Sequence, residues 1–203
     1  WFRSAAAGSA VAEPRFAYFC AEYGWHESVS LYSGGLGVLA GDHTKAASDL
    51  GVPLTAVGLY YPEGYFHQRV ADDGSQEAVY VRVPPEDAPF TPVLDARGER
   101  VLVTVRVFGR DVRAQAWRAR VGLVEVLLLD TDVPGNDDEA RRLCARLYGG
   151  DQRTRIGQEM VLGIGGVRLL RAVGIAPTSW HMNEGHSAFA TLGFGFGGSG
   201  QNS

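Results

Sequence analysis

Apolar residues follow two rhythms along this chain. Arg15–Glu22 (RFAYFCAE) and Val52–Tyr60 (VPLTAVGLY) are short, almost continuous apolar runs, the pattern of strands buried in a sheet. Between them Leu36, Leu39, Ala40, Ala47 and Leu50 recur near helical spacing. Gly51 stands where a C-terminal cap belongs, with Pro53 just beyond. Strand, glycine turn, helix and strand make a βαβ unit and predict a parallel sheet. Tyr61–Val70 and Glu77–Val83 read as a hairpin around Asp72-Asp73-Gly74. Residues 84–100, rich in proline and charge, read as an exposed loop. Val101–Val107, Asp111–Arg118 and Val121–Leu129 alternate as three antiparallel strands, with turns expected at Gly109-Arg110 and Gly122. A short helix is predicted over Asp137–Tyr148 and a long one over Gln152–Val173, ending at Gly174. Thr178–Met182 is a fourth core strand. Thr191–Ser203 (TLGFGFGGSGQNS) keeps neither period and is expected to be disordered or a gene-end artefact.

Composition narrows the function classes. A chain of 203 residues suits one domain or a large part of one, with 45% hydrophobic and 21% charged residues. A formal net charge of -4 gives no electrostatic footprint for nucleic acid or an anionic membrane. No apolar run approaches the ~20 residues that span a bilayer. Residues 1–14 lack the basic and apolar regions of a signal peptide. The chain opens on Trp1, so it is taken as a piece of something longer. Cys20 and Cys144 have no metal-binding spacing and read as buried free thiols, which fits a reducing, cytoplasmic setting. The basic residues are eighteen arginines and a single lysine, Lys45; only the lysine could form a Schiff base.

Three segments could carry chemistry. Gly34-Gly35-Leu36-Gly37 stands between a strand-loop and a helix, where backbone can approach an anion and the helix start offers free N–H groups. The plainer alternative is a tight turn with close helix packing. Trp180-His181-Met182-Asn183-Glu184-Gly185-His186-Ser187 follows a strand, at the carboxyl edge where ligands of open α/β sheets bind. Asn183, Glu184 and His186 carry groups that hydrogen-bond sugar hydroxyls. The alternative is a helix start capped by Asn183, with Glu184 complementing the dipole. Glu22 follows the first strand and could face the same cleft, or simply form an ion pair. His181 and His186, five apart, do not form a zinc pair, and no metal site is expected. Gly163-Ile164-Gly165-Gly166 lies inside a helical pattern and is expected to serve close helix packing. Arg153, Arg155 and Glu159 read as a solvated or ion-paired helix face.

Three longer stretches are together similar to the α-glucan (glycogen, starch and maltodextrin) phosphorylases, in wording nearer the bacterial branch. They are YFCAEYGWHESVSLYSGGLGVLAGDHTKAASDLGVPLTAVGLYYPEGYFHQ, YGGDQRTRIGQEMVLGIGGVRLLRA and WHMNEGHSAF, in the family's order. The resemblance runs from about Arg15 to Phe189. It divides the chain into a 1–14 extension, a partial N-terminal domain at 15–189 and a glycine-rich tail at 190–203. The fold it implies is α/β: the Rossmann-like N-terminal half of a two-domain (GT-B) glycosyltransferase, with an inserted antiparallel β section. The implied activity converts α-glucan and inorganic phosphate to glucose 1-phosphate, in a cytoplasmic family with allosteric members and possible homo-oligomers. Gly34, Gly35, Leu36 and Gly37 would lie against phosphate and glucose. Asn183, Glu184 and His186 would line the glucose pocket, with Glu22 near the same cleft. Pyridoxal phosphate would be held by a lysine of a C-terminal domain outside this chain. The catalytic set is therefore incomplete here, and the chain alone is expected to be inactive. Two other readings are a glycogen or starch synthase, which usually has Lys-Thr where this chain has Tyr32-Ser33, and a non-catalytic sugar- or phosphate-binding remnant.

Overall fold

A computed structural model describes residues 15–195; the 1–14 extension and residues 196–203 of the tail lie outside the described residues. The first strand, β1 (Phe16–Phe19), leads through a loop into α1 (Gly35–Asp49), and α1 returns the chain to β2 (Leu54–Leu59). β1 and β2 pair in parallel, Phe16 opposite Leu54, as a βαβ unit requires. A hairpin follows, β3 (His67–Val70) and β4 (Gln76–Val79), closed by a turn with Gly74 at φ 81.

The antiparallel section comes next: β5 (Thr91–Pro92), β6 (Leu102–Val107), β7 (Arg110–Val121) and β8 (Val124–Asp130). The β6–β7 turn is centred on Phe108 and Gly109, both at positive φ, one residue earlier than the sequence suggests. Residues 84–100 are not simply an exposed loop. Phe90 and Val93 are buried, and β5 pairs with β7. β8 is antiparallel to β7 and parallel to β2, so the inserted strands and the parallel set form one seven-stranded sheet.

The chain then crosses back through α2 (Asp138–Arg141), α3 (Gln152–Met160), a π-helical turn (Val161–Gly165) and α4 (Gly166–Ala172) to β9 (Ser179–Met182). The helix expected over Asp137–Tyr148 is only one turn long. Beyond it Leu147 donates to Gly64 O and Glu63 to Ala145 O, so the backbone is held to the loop after β2 instead of continuing as helix. The long helix does run to Gly174, which takes φ 75, but it widens midway into the π turn. Glycines explain that region. A Cβ added at Gly163 would press within 3.0 Å of Phe189 and Ala190, and one at Gly166 within 3.0 Å of Phe19 and Val57. Gly163–Gly166 thus serves close packing, as expected.

Ala190–Gly195, the described part of the glycine-rich tail, forms a helix, α5, against this π turn; Phe194 stacks on Trp180 at 4.9 Å. Its helical state departs from the expectation of disorder; buried Ala190 and half-buried Phe194 anchor it despite its weak helix-forming glycines.

The strand order is β5-β7-β8-β2-β1-β9, with β6 on β7. Successive residues of β1 face opposite sides: Tyr18 lies against His43 of α1, and Phe19 against Gly166 of α4. The two helical layers therefore cover the two faces of the sheet. β1 has β2 on one side and β9 on the other, reached by connections on opposite faces. That is a topological switch point, and in open α/β sheets ligands bind at the carboxyl ends of the strands there, here β1 and β9. No helix among the described residues is long and apolar enough to cross a membrane.

Candidate functional site

Both segments singled out in the sequence are tied to the carboxyl end of β1. The backbone N–H of Asn183 donates to Phe19 O at 2.9 Å, which places the end of β9 beside the end of β1. Asn183 does not cap a helix. Its amide Nδ2 donates to Tyr18 Oη at 2.8 Å and contacts Cys20 Sγ at 3.3 Å, binding the strand end to β1. Glu184 follows with φ 63, a left-handed conformation that a non-glycine residue adopts at a cost of about 1 kcal/mol or more. This kink turns Gly185–Ser187 into a short 3-10 turn. Ser187 Oγ donates to Asn183 O at 3.1 Å and to Glu184 O at 3.2 Å, which holds the kink closed. Glu184 is exposed at its apex. His186 is half-buried, and its Nδ1 is buried with no hydrogen-bond partner among the described residues.

The four residues of the glycine loop do two different things. Gly34 and Gly35 are exposed, and a Cβ at either would meet nothing within 4 Å. Gly34 is the N-cap of α1 and offers no side-chain cap, and no acid stands in the first turn. The start of this 15-residue helix therefore has no side-chain cap of its own, and the acid at this end is Glu22, whose carboxylate lies against the Ser33 N–H and Gly37. Leu36 is half-buried and packs on the core. Gly37 is buried, and a Cβ there would lie closer than 3.0 Å to Tyr32 Cβ and 3.1 Å from Glu22 Oε2. Its carbonyl accepts from Gly24 N–H at 2.8 Å. Gly41, one turn on, meets Gly24 just as closely. The packing reading of the glycines is thus realised at Gly37 and Gly41, while Gly34 and Gly35 are left open to solvent.

Glu22 is buried at 2% exposure, beyond the end of β1. One carboxylate oxygen accepts from the Ser33 backbone N–H at 2.7 Å and from Ser33 Oγ at 3.3 Å. The other accepts a short hydrogen bond from Tyr148 Oη. Tyr148 sits at φ 54 and faces His186 at 5.9 Å between ring centroids, with the Arg155 guanidinium 5.6 Å from its ring. Burial, together with the adjacent Glu22 carboxylate, pushes the Tyr148 hydroxyl well above its ordinary pKa, so it stays a donor. One chain of contacts thus runs from the glycine loop through Ser33, Glu22 and Tyr148 to His186.

Sequence reasoning missed Tyr148. Its only sequence signal is its place before Gly149-Gly150, and a left-handed tyrosine is not visible in a residue pattern. Arg155, read as a surface helix residue, is exposed but reaches the same tyrosine. Cys20 and Cys144 are free and buried, as expected. Among the described residues no cluster of His, Cys, Asp and Glu could hold a metal ion.

No family model matches the chain. It is 50% identical over 175 residues to a maltodextrin phosphorylase of Thermococcus litoralis, which covers 86% of this chain and 21% of that protein. It is 51% identical over 179 residues to a glycogen phosphorylase of Mycobacterium tuberculosis, covering 85% of this chain and 21% of that protein. Among solved structures it resembles the catalytic domain of starch synthase IV from Arabidopsis thaliana, bound there to ADP and acarbose. That likeness has a TM-score of 0.57 at 16% identity, over 88% of this chain and 29% of the other, and speaks for the fold alone. The fold is accordingly a Rossmann-like α/β half of the GT-B type, carrying an antiparallel extension of its sheet. Over about 85% of its length this chain is a homologue of the glycogen and maltodextrin phosphorylases, and it spans about a fifth of theirs.

Proposed function

We propose that the protein carrying this chain is an α-1,4-glucan phosphorylase, and that these residues build one wall of its cleft. The observation that supports the reading is the exposed start of α1 at Gly34-Gly35, which has no side-chain cap and is linked through Ser33, Glu22 and Tyr148 to His186. Inorganic phosphate is a dianion near neutral pH, and a helix start with free amides is a built-in anion site. In this reading the backbone amides at Gly34 and Gly35 face phosphate, while Leu36 and Gly37 seat the helix start against the core. Glu184 and His186 hydrogen-bond hydroxyls of the terminal glucose, and Asn183 fixes the kink that presents them. Terminal glucose passes to phosphate, leaving a shortened glucan and glucose 1-phosphate.

Pyridoxal phosphate, which the phosphorylase resemblance implies, finds no fitting amine on this wall. The one lysine, Lys45, is exposed on α1, about 12 Å along the axis from Gly37 at 1.5 Å per residue. The cofactor's lysine belongs to the remainder of such an enzyme, and this wall contributes phosphate and sugar contacts. Stabilising a transition state between two walls needs both, so these residues alone are inactive. A cytoplasmic, reducing setting suits two buried free thiols.

The test is to incubate the complete protein with α-glucan and phosphate, with pyridoxal phosphate present, and to measure glucose 1-phosphate by an enzyme-coupled assay. Formation of the sugar phosphate is the expected result. Its absence, with glucan extended from a nucleotide sugar instead, would replace this reading with a synthase.

A further inference from the structure

We infer that Tyr148 and Glu22 are positioning residues, which set the glycine loop at Ser33–Gly35 and tie it to the His186 segment. Four observations support this. Glu22 is buried, so a carboxylate there persists only if its oxygens are satisfied. Both are satisfied from within the protein, one by Ser33 and the other by Tyr148. The Ser33 N–H they hold is the amide immediately before Gly34, the exposed helix cap. Tyr148 is kept in a left-handed conformation, a strain that persists only when surroundings over-determine it.

The geometry also explains why a carboxylate suits this place. It can accept two donors from opposite sides, and both Ser33 N–H and Tyr148 Oη–H are donors. The two donors come from distant parts of the chain, so Glu22 joins the α1 entry loop to the segment before α3. Tyr148 extends that tie to His186 by ring contact. Glu22 therefore acts on substrate through the loop and not by touching sugar.

Glutamine separates position from charge. In Glu22→Gln the amide oxygen still accepts from Ser33, and the amide nitrogen donates to Tyr148 Oη. Tyr148→Phe removes one hydroxyl and leaves the ring. Glu22→Ala removes both ties. Two readouts on the full-length protein test the idea, and only the kinetic one rests on the function proposed above. The first is hydrogen exchange of the Ser33–Gly37 amides without substrate. Exchange at Ser33 should quicken about tenfold in Glu22→Ala and severalfold in Tyr148→Phe, and stay near wild type in Glu22→Gln. The second is phosphorolysis. kcat/KM should fall about tenfold in Tyr148→Phe, the effect of losing one hydrogen bond to a charged acceptor, and Glu22→Gln should largely retain it.

Unchanged exchange in both Tyr148→Phe and Glu22→Ala would overturn the inference. So would a Glu22→Gln protein as impaired in phosphorolysis as Glu22→Ala, which would make Glu22 a charged substrate contact. Exchange shifts as expected, in a protein that forms no glucose 1-phosphate, would uphold the positioning role and discard the phosphorylase reading.

Discussion

Gly35→Ala and Gly37→Ala differ by two positions and should have opposite effects. At Gly37 a new Cβ would fall closer than 3.0 Å to Tyr32 Cβ, where carbon atoms settle at about 3.5–4.0 Å. Tyr32 Cβ is fixed to the backbone, so no rotamer change relieves the overlap. Glu22 Oε2, at 3.1 Å, blocks the other side. Overpacking of this kind costs about 3 kcal/mol, the upper end of its usual range. Alanine's better helix propensity returns about 1 kcal/mol, leaving a net loss near 2 kcal/mol. For a domain of this size that lowers Tm by about 4–8 °C. At Gly35 the new Cβ meets nothing within 4 Å, so Tm should hold or rise slightly. Phosphate use tells the reverse story. In the complete protein Gly35→Ala should raise the KM for phosphate by about tenfold, since a methyl group displaces the anion from the amides. Calorimetry and initial rates on the two variants decide the matter. Equal Tm losses, or a destabilised Gly35→Ala with unchanged phosphate KM, would refute the division of labour within the loop.

Three other outcomes are expected. His186→Ala in the complete enzyme should lower glucan turnover by about tenfold or more, as an unpaired buried sugar hydroxyl would; steady-state kinetics with unchanged pyridoxal phosphate content checks it. Burial pushes the Cys144 thiol up to about 12 and Cys20 upward as well, so neither should react with a thiol reagent in the native state, while both titrate after denaturation. Asp151 caps α3 by accepting from the Thr154 N–H, and that bond holds its carboxyl below the ordinary 3.8. A depressed acid stabilises the fold above the unfolded-state pKa and loses that contribution as pH falls through the folded-state value. The Tm gap between wild type and Asp151→Ala should therefore narrow as pH drops below 3.8.

β1, β2 and β8 were legible because they are buried and read as near-unbroken apolar runs; β9, expected as a fourth core strand, is instead an edge strand with Ser179, His181 and Met182 exposed. The GGLG segment was legible because it sits where a loop gives way to a helix, and the Asn183–His186 segment because it follows a strand. What their glycines do was not, since Gly35 and Gly37 differ only in what surrounds them after folding. Tyr148 was hidden for a related reason: its partner Glu22 lies 126 residues away, and local pattern carries no trace of such a pairing. The 84–100 segment misled because Phe90 and Val93 are isolated apolar residues among prolines and charges. They are buried by strands that precede and follow them.

The π turn at Val161–Gly165 makes residue count, as distinct from residue type, a structural variable. A π turn accommodates an extra residue within the helical path. Removing Ile164, which is only half-buried, would let the segment relax to regular α-helix with the bulge absorbing the loss, so that Gly166 keeps its place against Phe19 and the fully buried Leu169 and Leu170 stay in the core. A deletion in the regular helix on either side would instead rotate everything beyond it by about 100°, one residue's share of a 3.6-residue turn. The π turn should therefore be the one place in this helix that accepts a single-residue deletion.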